Sequence, residues 1–298
     1  MAVLRAGVQV SSASVEITEA AARAAARHGV PRHEVLTRLL LHLPREATAD
    51  GFCDLETVCA EADRRAARLE ARTRDWRDWA IASDRKLAAT DLELVRIDSE
   101  RARIVLERFH YLESFRGDGA HHGGVTAGGR LAAILSVTPL DLETVAAGLP
   151  RGLTRDQAAV LARVFAFDWT PPNSLSFLIG RLVRGLRAAE PAPRLLVTYL
   201  NPNLGFTGAS YRAANWRLWA REHGTRYAYL DGDYVTDRAL AARFGSADPQ
   251  ALRSLLGKRI RFSEMELRPL ELYAYPIDAE LRGALEVRAP AELAHPTP

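Results

Sequence analysis

Apolar residues recur along this chain with two different periods, and the change comes near residue 90. Before it, the legible elements are helical. Residues 16–28 are Ala-rich and stop at Gly29, a common helix terminator. Val35, Leu36, Leu39, Leu40 and Leu43 form a 3.6-residue stripe that starts after Pro31 and ends at Pro44. Asp54 stands where it can cap a third helix running to about Trp79. That helix interleaves Arg64, Arg65, Arg68, Arg72, Arg74 and Arg77 with Glu61, Asp63, Glu70, Asp75 and Asp78. Such mixing suits a solvated helix laced by i,i+4 pairs; an Arg-lined nucleic-acid or partner surface is the other reading. Residues 1–90 are expected to form an N-terminal helical region.

Beyond residue 90, alternation takes over. Strands are expected at 92–97, 163–168, 195–201, 227–231 and 271–275, with a hairpin of 122–126 and 130–138 around Ala127-Gly128-Gly129. Helices are expected at 100–111, 154–162, 248–256, after Pro172, and from Ser210 to Trp216. The one after Pro172 carries an apolar face of Leu175, Leu178, Ile179, Leu182, Val183 and Leu186. Hairpins first and strand–helix–strand crossovers later predict an α/β fold, a mixed β-sheet flanked by helices over 91–288. Residues 289–298 read as a flexible tail.

Composition narrows the class without choosing a function. The 298 residues carry a net charge of +3, and Lys86 and Lys258 are the only lysines. A mild positive excess permits a nucleic-acid partner and does not require one. Cys53 and Cys59, six apart with no second pair, give neither a disulfide framework nor a Cys-type zinc site. The first ten residues lack the pattern of a signal peptide, and no run approaches the ~18–20 apolar residues of a membrane span, so a cytoplasmic protein without membrane attachment is expected. No P-loop, G-x-G-x-x-G, G-x-S-x-G or H-E-x-x-H is present, which argues against standard nucleotide hydrolases, Rossmann oxidoreductases, serine hydrolases and zincins.

Candidate chemistry gathers at two β-to-α junctions. Asp168 and Trp169 lie where a strand ends; the carboxylate can act as a base or orient an amine, and the indole can stack, while a structural turn is the alternative. Asn173 or Ser174 can cap the helix that follows, or leave its N–H groups to an anion or oxyanion. Arg163, at the start of the expected strand, can bind an anion or exit to solvent. At the second junction, Asn201 opens a loop with acceptors, and Tyr211 and Asn215 are four apart on one expected helix face beside Ser210. A phenol can return a proton to a leaving group, and an amide can hold a carbonyl or a base edge. His110, next to Tyr111, is a candidate general base or acid; with His121 and His122 it lacks any familiar metal-ligand spacing, so no metal is expected.

Several motifs occur together in a recognisable order. Phe109-His-Tyr-Leu112, the Gly-Gly-Arg hairpin, Arg163-Val-Phe-Ala-Phe-Asp-Trp169, Asn173-Ser174 and Gly208-Ala-Ser-Tyr-Arg-Ala-Ala-Asn-Trp216 resemble the phage Mom family over about residues 92–240. The Tyr-Arg-Ala-Ala-Asn-Trp element is also similar to a Druantia-type antiphage protein family. Mom proteins modify adenine in DNA and have a GNAT-type acyltransferase fold. The resemblance implies that His110, Tyr111, Arg163, Asp168, Ser174 and Tyr211 line an active cleft. It implies a transferase acting on an amine-type nucleophile, with DNA or tRNA as partner. One departure bears on the donor. The place of the usual Gly-rich pyrophosphate turn holds Thr170-Pro-Pro-Asn-Ser174, where two prolines remove two N–H donors. Acyl-CoA and aminoacyl-tRNA both stay open as donors, and a small-molecule acceptor or a non-catalytic nucleic-acid binder are the alternatives. The transferase reading expects Asp168, Ser174 and Tyr211 to converge in one pocket.

Overall fold

The structure, a computed structural model, describes residues 12–74, 88–119, 121–141, 143–150, 152–188, 192–222, 226–286 and 291–293. In chain order it begins with α1 (Ser12–His28), α2 (Arg32–Leu40) and α3 (Leu55–Arg74), then β1 (Leu92–Arg96), α4 (Ser99–Phe109), β2 (His121–Ala127), β3 (Arg130–Pro139) and α5 (Glu143–Ala147). Next come β4 (Ala158–Ala166), α6 (Ser174–Arg187), β5 (Leu195–Leu200), α7 (Ala209–Ala213) and β6 (Arg217–Glu222). The chain continues with β7 (Ala228–Leu230), β8 (Asp233–Val235), α8 (Asp237–Phe244), α9 (Pro249–Leu256), β9 (Ile260–Phe262), β10 (Glu271–Pro276), α10 (Glu280–Glu286) and β11 (Ala291–Leu293). Among the described residues no helix is long and apolar enough to cross a membrane.

The chain divides into two compact units, Met1–Glu70 with Thr225–Leu267, and Ala71–Gly224 with Arg268–Pro298. The boundary expected at residue 90 thus gives way to an interrupted one. Within the first unit, β8-β7-β9 form a small antiparallel sheet. The Tyr227 and Tyr229 hydroxyls donate to the carbonyls of Leu40 and His42, at and just beyond the end of α2. These two phenols tie the 225–267 segment to the N-terminal helices, a pairing across 187 positions that no local pattern announces. The strand expected at 227–231 therefore exists but belongs to this small sheet.

The second unit is built on one sheet in the order β1-β2-β3-β4-β5-β10-β6-β11. Parallel pairing occurs between β4 and β5 and between β6 and β11; its other ladders are antiparallel. α6 buries Leu178, Ile179, Val183 and Leu186 against Leu135, Leu161 and Leu196 on one face. α4 places Ala102, Val105, Leu106 and Phe109 against Ile134, Phe165 and Phe167 on the other, so the mixed sheet is flanked by helices.

Several local expectations change. The helix expected at 154–162 is a 3-10 turn, Arg155–Gln157, followed directly by β4. Its Ala-Ala-Val-Leu run favours a helix locally, and pairing with β3 and β5 overrides that preference. The helix expected through Trp216 ends at Ala213, because β6 must start at Arg217 to pair with β10. The tail expected at 289–298 contains β11, which pairs with β6 through Ala291–Leu293. The expected end of the third helix near Trp79 and the reading of the first ten residues lie outside the described residues.

Candidate active site

The parallel ladder between β4 and β5 is short. Ala158, Ala159 and Val160 pair with Leu195, Leu196 and Val197, and the pairing stops there although both strands continue. One cause lies in β4 itself. Leu161 opposes Val137 and Arg163 opposes Ser136 on β3, which leaves Ala162 as an extra, bulged residue. A bulge bends its strand and re-aims the side chains beyond it. Leu161 and Val164 accordingly join the core on the α6 face, while Ala162 and Phe165 join clusters on the opposite face. A second cause is Thr198, whose hydroxyl donates to the Leu161 carbonyl at 2.8 Å. A side chain thus satisfies the acceptor at the point where the ladder ends.

Where the strands part there is a cavity of about 310 Å³. β4 contributes Leu161, Ala162 and Val164 to its wall, and β5 contributes Thr198, Tyr199 and Leu200. His110 and Tyr111 reach it from the end of α4, and the segment from Gly205 to Tyr211 closes it from the other side. The opening lies toward the carboxyl ends of two parallel strands, where α/β sheets bind ligands.

Phenol groups dominate its polar chemistry. The Tyr111 hydroxyl is pushed up to about 12 by burial and by neighbouring Tyr211, against the opposing effect of the Arg163 guanidinium. Burial also raises the Tyr211 pKa, and its hydroxyl lies 3.4 Å from that of Thr198. Both phenols are therefore protonated donors at neutral pH. Tyr211 is held by tilted rings of Trp216 and Tyr273, with centroids 5.7 Å and 5.8 Å away. His110 is 3% exposed, and its Nδ1 accepts the Leu112 backbone N–H at 3.2 Å. With Nδ1 accepting, the proton of a neutral ring lies on Nε2. The His110 ring centroid lies 4.4 Å from that of Tyr111, with the rings tilted by 31°.

Arg163 sits just behind this wall. It donates to the Ser114 carbonyl at 3.3 Å, the Ser114 hydroxyl at 3.0 Å and the Ala162 carbonyl at 2.8 Å. Its acceptors are neutral, and burial lowers its pKa. It is a positive charge held beside Tyr111, favouring negative charge that develops near that phenol.

Of the ten residues singled out from sequence, His110, Tyr111 and Tyr211 line the cavity. The expected convergence of Asp168, Ser174 and Tyr211 does not occur. Asp168 is exposed and lies outside the lining, because β4 ends at Ala166 and the chain has already turned away. Ser174 is buried, but its hydroxyl donates to the Pro171 carbonyl at 2.7 Å and closes the turn instead. Asn173 is exposed with left-handed backbone, φ 67°, and its side chain makes no capping bond. Trp169 packs into the core, with its ring centroid 5.9 Å from that of Phe167 and the two rings nearly parallel. Asn201 caps a 3-10 turn by accepting the Asn203 N–H. Asn215 is exposed at φ 64° beyond the end of α7, so it shares no helix face with Tyr211.

Thr198, Tyr199, Ala162 and Phe206 are cavity residues that local patterns did not mark. Thr198 and Tyr199 sit in an ordinary strand run, and only the loss of pairing makes them wall residues. Phe206 did carry a signal: a large aromatic flanked by Gly205 and Gly208 in a loop is 38% exposed.

The Mom protein family matches residues 91–293 of this chain. No curated protein matches it in sequence. Among solved structures it is similar to the ribosomal-protein-alanine N-acetyltransferase of Escherichia coli, at 12% identity over 63% of this chain and 94% of that one, with a TM-score of 0.37. It is also similar to an acetyltransferase of the GNAT family from Streptococcus pneumoniae, at 12% identity over 62% and 99%, with a TM-score of 0.33.

Proposed function

The chain belongs to the Mom protein family, and on that premise we propose that it transfers an acyl-type group onto an amine nucleophile, with a nucleic-acid base as acceptor. The observation that carries the reading is the cavity between the parted strands, with Tyr111, Tyr211 and His110 on its wall. Acyl transfer needs donors for an oxyanion and a proton for the leaving group. Two phenols kept protonated by burial and a histidine with its proton on Nε2 offer both.

The acceptor follows from the same inventory. Among the described residues no carboxylate lines the cavity. An alkylammonium would need a base before it could attack, and an anionic wall to hold it. The exocyclic amine of a base is uncharged at neutral pH, so it needs no anionic wall and gives up its proton only as the new bond forms. In the reaction its nitrogen bonds to the carbonyl carbon, the carbonyl oxygen takes the negative charge, and Tyr211 protonates the departing group as the bond to it breaks. The proton released by the nitrogen then restores the phenol.

A second reading, with aminoacyl-tRNA rather than acyl-CoA as donor, is favoured by Pro171 and Pro172. They occupy the turn before α6 and offer no N–H to a pyrophosphate.

The test is mass spectrometry of nucleosides from DNA and RNA of cells expressing the wild type and Tyr211→Phe. A mass-shifted nucleoside in the wild type that is absent with the variant supports the reading. Unchanged masses in both nucleic acids, with a modified small molecule instead, would move the acceptor elsewhere.

A further inference from the structure

The cavity does not stand alone. Phe206 and Thr207 line it and also line an open groove of about 650 Å³ that runs on over β6 and β10. Three arginines, Arg212, Arg217 and Arg268, line this groove with one acidic residue, Glu271. Arg212 is held by donating to the Thr207 carbonyl at 2.5 Å and the Tyr273 hydroxyl at 3.0 Å, both neutral acceptors. The Arg268 guanidinium has no partner among the described residues; its backbone is what Asn203 fixes, accepting the Arg268 N–H at 2.9 Å and donating to its carbonyl at 2.8 Å. At the seam between groove and cavity stands the Phe206 ring, 38% exposed and steadied by Tyr111 at 5.3 Å.

We propose that this groove holds the sugar–phosphate backbone of an unpaired nucleic-acid strand, with Phe206 stacking the base next to the one in the cavity. The inference rests on the acceptor being a nucleic-acid base. Excess positive charge in an open groove tracks a polyanion, and an exposed aromatic ring at its end offers a face to any base. Continuity matters most: a strand lying on the three arginines passes Phe206 and delivers one nucleotide into the cavity. A base inside a duplex would have to leave its stack to enter the same space, so an unpaired strand binds more tightly than a duplex.

The experiment is fluorescence anisotropy with a labelled single-stranded DNA 20-mer, a matching duplex and a single-stranded RNA, each titrated with the full chain across a salt series. The single strand is expected to bind more tightly than the duplex, with affinity falling steeply as salt rises. Replacing Arg212, Arg217 and Arg268 together by Ala should weaken single-strand binding at least about tenfold and flatten the log–log salt slope by roughly 0.7 for each phosphate no longer neutralised. The Lys versions should restore much of the affinity, since a point charge suffices to hold a phosphate. Phe206→Ala should weaken binding roughly 5- to 100-fold with the salt slope unchanged. Arg184→Ala on α6, away from the groove, is the control. Arg268→Glu alone provides a readout should the triple variant not fold, because that side chain is exposed and unpartnered.

Single-strand affinity and salt slope that stay at the wild-type value in folded Arg268→Glu and triple-Ala variants overturn the proposal. So does a groove whose arginines are needed for binding coenzyme A but not for the oligonucleotide. Neither outcome touches the nucleoside masses, so failure of the groove and failure of the transferase reading are read separately.

Discussion

The side chain that Gly208 lacks would begin 2.6 Å from the hydroxyl of Tyr273. The same residue holds φ at +71°, a conformation that disfavours any L side chain. Space and backbone thus both require glycine where the loop meets α7, and α7 carries Tyr211. Gly208→Ala is predicted to cost roughly 1–3 kcal/mol through the strained backbone, with the clash added. Thermal unfolding should show the loss, and group transfer should fall further than stability does because Tyr211 shifts.

Thr198 holds the parted strands by giving its only hydroxyl proton to the Leu161 carbonyl. Thr198→Val keeps the shape and leaves that acceptor unmet, at a predicted cost of about 1–3 kcal/mol. Thr198→Ser should recover most of it. Urea unfolding of the three proteins checks the prediction, and equal stability of Val and Thr would refute it.

Tyr111 links the site to alkaline stability. Its folded pKa is raised to about 12 from 10.0, so the folded state keeps the phenol proton when the unfolded state has lost it. The contribution is fully present below about pH 10 and is lost as pH rises through about 12. Tyr111→Phe should flatten the fall in stability across that window, by on the order of 2 kcal/mol. Urea midpoints measured at intervals from pH 9 to 12 supply the comparison.

Tyr211→Phe removes one oxygen from the cavity and leaves the ring packing against Trp216 and Tyr273. Transfer is predicted to drop by roughly 10²–10⁴-fold, the usual scale for a positioned acid, with little change in melting temperature. Asp168→Asn, at an exposed position outside the cavity, should retain transfer. The reverse ranking would return the chemistry to the β4 junction.

Local periodicity exposed much of the second unit, because α6 and the β2–β3 hairpin are specified by residues close in sequence. It failed where distant pairing decides. The first part of β4, Ala158 to Ala162, reads as helix until β3 and β5 flank it, and β6 hides behind a helix-like Ser-Tyr-Arg-Ala-Ala. The site shows the same division. His110 and Tyr111 follow the end of α4 and Tyr211 sits in the short α7, where a chemical side chain stands out from its surroundings. Thr198 and Tyr199 became wall residues through a ladder that stops at Val160 and Val197, which no single strand records. Asp168 and Ser174 looked catalytic by position alone, but β4 ends before Asp168 and the Pro171–Pro172 turn takes up the Ser174 hydroxyl.

The most direct test is to fill the space between the strands. Ala162, the bulged residue of β4, lines the cavity with a single methyl group. Nucleosides from cells expressing the wild type and Ala162→Trp would be compared by mass, with circular dichroism confirming that the variant folds. The account predicts a mass-shifted nucleoside with the wild type and none with the folded variant. A folded Ala162→Trp protein that still produces the modified nucleoside at the wild-type level would contradict it.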